Sequence, residues 1–257
     1  MSLEQFSLRG KAALVVGAST ALGDAAAIAL AEAGADVAVA TGLPTPLDTE
    51  ATNACANTIR ALQRKSFAKT IDGTSESEVA SLVQQTVTEL GRLDILVNAP
   101  DLPFAKPLAE VSLTEWQRVL AVNLTGVYLS CRAASAPMLT QQAGRIINIV
   151  SVLSERGMAN GSAYCAAQAG VLNLTRALSL EWARNGITVN AIGAGWADGM
   201  GMIADEQIKQ QLARYIPNKR LARPHEISDA VVYLASDVTG FITGQTVWIE
   251  GGVLSRL

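Results

Sequence analysis

Short apolar runs rich in β-branched residues alternate with longer alanine- and leucine-rich segments along the whole chain. The runs are AALVVGA (12–18), DVAVAT (36–41), SFAKTI (66–71), DILVNA (94–99), RIINIVS (145–151), ITVNAIG (187–193) and QTVWIE (245–250). Most are continuously apolar rather than alternating, as strands covered on both faces are. The segments between them carry helical spacing. Two open with capping-box pairs, Ser75/Glu78 and Ser112/Glu115, in which a serine hydroxyl and a glutamate satisfy free amides of the first turn. The βαβα order predicts a parallel sheet with helices on both faces. The fold expected is therefore α/β, a doubly wound, Rossmann-like sheet of seven strands in a single domain over 1–257. An eight-stranded barrel is disfavoured, because the pattern shows no eighth strand and helix.

Composition narrows the function. With 257 residues, 49% hydrophobic and 17% charged, the chain can bury a sizeable core. A net charge of −3 and a pI near 5.3, with no basic run, give no electrostatic footprint for nucleic acid. Cys55, Cys131 and Cys165 lack metal-ligand spacing and His225 is the single histidine, so no metal site is expected and the thiols read as reduced. The start, MSLEQFSLRGK, has no apolar stretch, and no later run reaches the ~20 apolar residues of a membrane span. A soluble, cytoplasmic protein is expected.

The first strand runs into GASTALGDAAAIAL, with Gly17 and Gly23 between strand and helix. Glycines there let the backbone turn tightly and approach a ligand, and the free N–H groups and dipole of the new helix favour a phosphate. Asp24 in that first turn suits the dipole. Ser151 ends the fifth strand and Tyr164 opens the next helix, with Gln168 one turn later on the same face. A proton donor and a second hydrogen-bond donor converging on a carbonyl oxygen are what hydride transfer to a ketone requires.

On these residues the chain resembles the short-chain dehydrogenase/reductase family over nearly its whole length. The family's TGxxxGxG is met by Val16, Gly17, Ala21, Leu22 and Gly23, two of its four fixed positions being altered. Its NNAG is met by Asn98, Ala99, Pro100 and Asp101, and its catalytic asparagine by Asn123 in AVNLTGVYL. Asp72 stands where the family sets an aspartate against adenine. The ending LASDVTGFITGQTVWIEGG is close to the family's own.

The resemblance implies a catalytic set of Asn123, Ser151, Tyr164 and Gln168. It implies NAD or NADP held at the first turn by Gly17, Ser19, Thr20, Leu22 and Gly23. Thr41, Asp72, Gly73, Asn98 and Ala99 would line the next stretch of the cofactor, and Tyr164, Gln168 and Gly195 its far end. A small carbonyl or alcohol substrate, a lid over about 196–219, and a homotetramer or homodimer follow by the same resemblance. The second strand ends in Thr41 and Gly42, neither an acid for the NAD ribose nor an arginine for the NADP phosphate, so the choice stays open.

Gln168 is the main departure. The family motif is YxxxK, whose lysine holds the ribose and lowers the tyrosine pKa; glutamine keeps a hydrogen bond but brings no charge. A tyrosine with pKa of about 10 is phenolate in only about one molecule in 1,000 at pH 7, a deficit of roughly 4 kcal/mol. That handicaps alcohol oxidation, which needs a base, more than carbonyl reduction, which needs an acid. The expectation is a slow oxidoreductase biased toward reduction. Two other readings stand beside it: a non-redox use of the fold, as in dehalogenases, and a catalytically impaired nucleotide-binding subunit. Arg156, five residues after Ser151, reads as a solvated loop residue; facing the site, it would favour an anionic substrate. His225 reads as a first-turn surface residue, and Trp116, Trp182 and Cys165 as packing.

Overall fold

A computed structural model of the chain describes residues 3–203 and 205–255. Seven parallel strands form one sheet in the order β3-β2-β1-β4-β5-β6-β7. They are β1 (Ala12–Val16), β2 (Asp36–Ala40), β3 (Ala68–Lys69), β4 (Ile95–Asn98), β5 (Gly144–Ser151), β6 (Ile187–Ala194) and β7 (Thr246–Ile249). All seven expected strands are present. The third is much shorter than 66–71 predicts, because it lies at the edge and pairs with β2 alone through Val39–Ala68 and Ala40–Lys69.

The helices are α1 (Ala21–Glu32), α2 (Pro46–Ala61), α3 (Glu76–Leu90), α4 (Leu113–Leu120), α5 (Gly126–Gln141), α6 (Ser162–Trp182), α7 (Glu206–Tyr215) and α8 (Pro224–Ala235). Successive strand residues face opposite sides, which builds two cores. Ala13, Val15, Val37 and Val39 meet α1, α2 and α8 on one face. Leu14, Val16, Ala38 and Ala40 meet α3, α5 and α6 on the other. This double burial explains the unbroken apolar runs.

A π-helical turn, Ala121–Thr125, joins α4 to α5. The run Leu113–Gln141 is long and apolar enough by length and composition to cross a membrane, but half of its most apolar stretch is buried inside the molecule, as in a core helix. The Ser112/Glu115 capping box forms. The Ser75/Glu78 box does not: Ser75 makes no side-chain cap bond, and Glu78 Oε2 accepts the Asp72 N–H at 3.0 Å instead.

A third cluster sits beyond the carboxyl ends of β5 and β6, where Tyr164, Leu153, Ile203, Ile216, Leu221 and Val253 pack together. Trp116 and Cys165 pack against it, and Trp182 against the second core. The expected lid consists of a 3-10 turn, Gly201–Ile203, followed by α7, none of whose residues is buried; position 204 of that segment lies outside the described residues. His225 is exposed in the first turn of α8, after a proline.

Candidate active site

The crevice outside the strand ends is where open α/β sheets bind ligands. Here it is a cavity of about 240 Å³, walled at one end by Ser19–Leu22 and at the other by Ser151, Tyr164, Gln168 and Asp101. Ala99, Pro100, Asp48, Ala194, Gly199 and Met200 complete much of the wall.

The first turn is built for close backbone approach. Gly17 has φ of +87°, and a Cβ there would stand 2.5 Å from the Ala99 carbonyl oxygen. A Cβ on Gly23 would stand 2.1 Å from the Gly17 oxygen. Thr20 caps α1, its hydroxyl accepting the Gly23 N–H at 3.0 Å, while Ala21 and Leu22 at the start of the helix line the cavity. A helix N-terminus offered in this way fits a pyrophosphate. Asp24 does not face that phosphate position: it meets Cys55 on α2, whose thiol is pushed up by burial first and by Asp24 second.

At the other end, Tyr164 is 1% exposed and its hydroxyl donates to Asp101 Oδ1 at 2.7 Å. Burial pushes the phenol well above its ordinary value; the charge and hydrogen bond of Asp101 push the same way, and a hydrogen bond with Ser151 opposes them. Burial also raises Asp101, against the hydrogen bond from Tyr164. Gln168, buried on the next turn of α6, accepts the Ser151 N–H on Oε1 at 2.9 Å. That bond fixes the end of β5 and leaves the glutamine NH2 as the group that can donate to a ligand.

The structure thus brings Ser151, Tyr164 and Gln168 together with Ser19, Thr20, Leu22 and Ala99 on one cavity. Other residues implied by the resemblance do not reach its wall. The Thr41 hydroxyl is fully buried, donating to the Ile71 carbonyl at 2.7 Å and accepting its N–H at 2.9 Å. Asn98 is 1% exposed and donates to Asn148 Oδ1 at 2.9 Å, bracing β4 against β5. Asp72 Oδ1 accepts both the N–H and the hydroxyl of Thr74, Gly73 N–H donates to Gly42, and Gly195 packs on Glu250, where a Cβ would stand 2.7 Å from its Cα.

Asn123 has a positioning geometry. Its Oδ1 accepts the Leu102 N–H at 2.9 Å, and its Nδ2 donates to the Leu102 carbonyl at 2.9 Å and the Val119 carbonyl at 3.1 Å. It clamps the loop that carries Asp101 and does not line the cavity. Arg156 lies outside too, donating to the Val253 carbonyl and the Tyr215 hydroxyl.

With this geometry in view, comparison with known proteins is decisive. Residues 17–254 match the family model described as Enoyl-(Acyl carrier protein) reductase. The chain belongs to the short-chain dehydrogenase/reductase family. It is 37% identical to cis-4-hydroxycyclohexanecarboxylate dehydrogenase of Sinomonas cyclohexanicum over 94% of this chain and 96% of that protein. It is 34% identical to 2-dehydro-3-deoxy-D-gluconate 5-dehydrogenase of Escherichia coli over the full length of both. A solved short-chain dehydrogenase/reductase from Mycobacterium marinum superposes with a TM-score of 0.91 at 33% identity, covering 99% of each chain. Members of this family are oxidoreductases that use NAD(P). Asp101, to which the sequence pattern gives no role, is on the cavity wall and accepts the Tyr164 hydroxyl. Its signal was present, an acid at the last position of the NNAG match, but nothing local shows that it meets a tyrosine 63 residues away.

Proposed function

We propose that this protein is an NAD(P)-dependent oxidoreductase that reduces a small carbonyl compound to an alcohol. The observation that carries the reading is the convergence of Ser151, Tyr164 and Gln168 on the cavity that the N-terminus of α1 opens into. Ser19, Thr20 and Leu22 would hold the pyrophosphate of the dinucleotide and Gln168 its nicotinamide ribose; when bound, the cofactor supplies hydride to the carbonyl carbon. Tyr164 is the acid. A phenol held far above its ordinary pKa keeps its proton at any physiological pH, the state reduction needs and the wrong state for abstracting a proton from an alcohol. The Ser151 hydroxyl, on the same cavity wall as Tyr164, supports the developing oxyanion.

Asp48 at the start of α2 is on the cavity wall, and no lysine, arginine or histidine is among the wall residues described. A carboxylate there repels the additional phosphate of NADP, so the cofactor proposed is NAD. We place the enzyme in the cytoplasm as an assembly of two or four copies. Phe241 and Leu180, both largely exposed on this one chain, are apolar surface that such an assembly would cover.

Titration with NADH and NADPH, followed by nicotinamide fluorescence and thermal stability, tests the reading. NADH is expected to bind at least tenfold more tightly than NADPH and to support turnover of members of a ketone panel. No response to either at millimolar concentration would refute it.

A further inference from the structure

We infer that Asp101 is a positioning residue that controls the proton of Tyr164. As a carboxylate it accepts the phenol O–H and turns it away from a bound carbonyl; as a carboxylic acid it releases the O–H to the cavity and resupplies the proton after transfer. The inference rests on the oxidoreductase reading for its catalytic consequence, but its physical core is the contact between the two side chains.

The contact is built rather than incidental. Asp101 stands between Pro100 and Pro103, whose rings fix the backbone, and Asn123 grips both the N–H and the carbonyl of Leu102 next to it. On the other side, α6 carries Tyr164 within the third apolar cluster. The oxygens meet at 2.7 Å inside the cavity. The charged and titratable groups around the pair are few among the described residues. Asp48 is on the cavity wall from α2, Cys165 neighbours Tyr164 on α6, and no basic side chain is among the described residues that line the cavity. No cation among the described cavity-wall residues offsets the carboxylate, so its proton occupancy biases where the phenol points. This reverses the role of the lysine in the family motif, which favours the phenolate, because a neighbouring anion favours the phenol.

The proton balance is simple. On reduction the carbonyl oxygen takes the Tyr164 proton, while the hydride reaching carbon comes from the reduced nicotinamide. The phenolate then takes the Asp101 carboxyl proton, and the carboxylate regains one from water. One solvent proton is consumed per alcohol formed, and it passes through Asp101. Reduction is therefore expected to quicken as pH falls through the range in which Asp101 takes up its proton, and to slow above it.

The test uses the full chain with Asp101→Asn, which keeps the shape and loses the charge, and Asp101→Gly, which installs the residue of the family motif. Tyr164→Phe identifies the Tyr164 contribution to tyrosinate absorbance among the four tyrosines. Without any ligand, both Asp101 variants should bring the Tyr164 transition down by at least about one pKa unit, tenfold in ionisation equilibrium. In turnover, the fall in reduction rate with rising pH, approaching tenfold per unit in the wild type, should flatten in Asp101→Asn. An unmoved Tyr164 transition, or superimposable pH profiles, would overturn the inference. The absorbance measurement decides even if no substrate is turned over, whereas failure of the oxidoreductase reading shows separately as absence of any response to NADH.

Discussion

Replacing Asn123 by alanine should loosen the whole Asp101 arm, and the structure allows the size of the effect to be worked out. Asn123 is 1% exposed and makes three hydrogen bonds, two to Leu102 at 2.9 Å and one to the Val119 carbonyl at 3.1 Å. At about 1 kcal/mol each, their loss comes to about 3 kcal/mol, with the two Leu102 groups left to find other partners. An unfolding entropy of about 2.1 cal/mol/K per residue gives about 0.5 kcal/mol/K for a chain of this length, so the melting temperature should fall by about 6 °C. Urea unfolding with an unchanged m value would confirm that the native state alone is affected. Asn123→Asp should do no better, since it retains an acceptor for the Leu102 N–H but sets an oxygen against two carbonyls. If both variants stayed within about 0.5 kcal/mol of the wild type, the range of ordinary surface substitutions, the clamp would not exist as described.

Other outcomes follow from the same contacts. Gln168→Lys places an ammonium beside Tyr164 and Asp101 but removes the acceptor of the Ser151 N–H; we expect at least a tenfold gain in alcohol oxidation at pH 7 and a stability loss of about 1–2 kcal/mol. No gain in oxidation would shift weight toward a non-redox use of the cavity. Gly23→Ala forces a Cβ to within 2.1 Å of the Gly17 oxygen, so NADH-induced fluorescence should be lost while the far-ultraviolet dichroism of the sheet and helices persists; retained binding would refute the cradle. Asp101 has a raised folded pKa, so its contribution to stability is fully present below the ordinary aspartate value and is lost as pH rises through the folded value. Denaturation across that window should show the decline in the wild type and not in Asp101→Asn, and equal slopes would count against it.

The fold was largely legible because it is written in period and burial. Residues such as Leu14 and Val15 face different cores that are both apolar, which produces the unbroken runs from which β1 was read. The edge strand β3 was overestimated because apolar residues at 66–71 mark a chain segment, whereas pairing depends on a neighbour that exists on one side only. Ser75 and Glu78 had the spacing of a cap, yet Asp72 offered the glutamate a competing N–H. In the site, the chain path alone brings Ser151, Tyr164 and Gln168 together, since a strand end and one helix face suffice. Thr41 kept its motif position but spends its hydroxyl on Ile71, and Asn98 spends its amide N–H donors on Cys131 and Asn148 inside the sheet and its flank. Asp101 could be located by motif and still not understood, because its partner is reached through the fold and not along the chain.

The hydrogen bond from Ser151 N–H to Gln168 has a consequence for any attempt to return this site to the family motif. A lysine at that position cannot accept that N–H, and while Asp101 is present its ammonium is shared between that carboxylate and Tyr164. The two departures form a coupled pair, so the gain of the double variant carrying Gln168→Lys and Asp101→Gly should exceed the sum of its single changes.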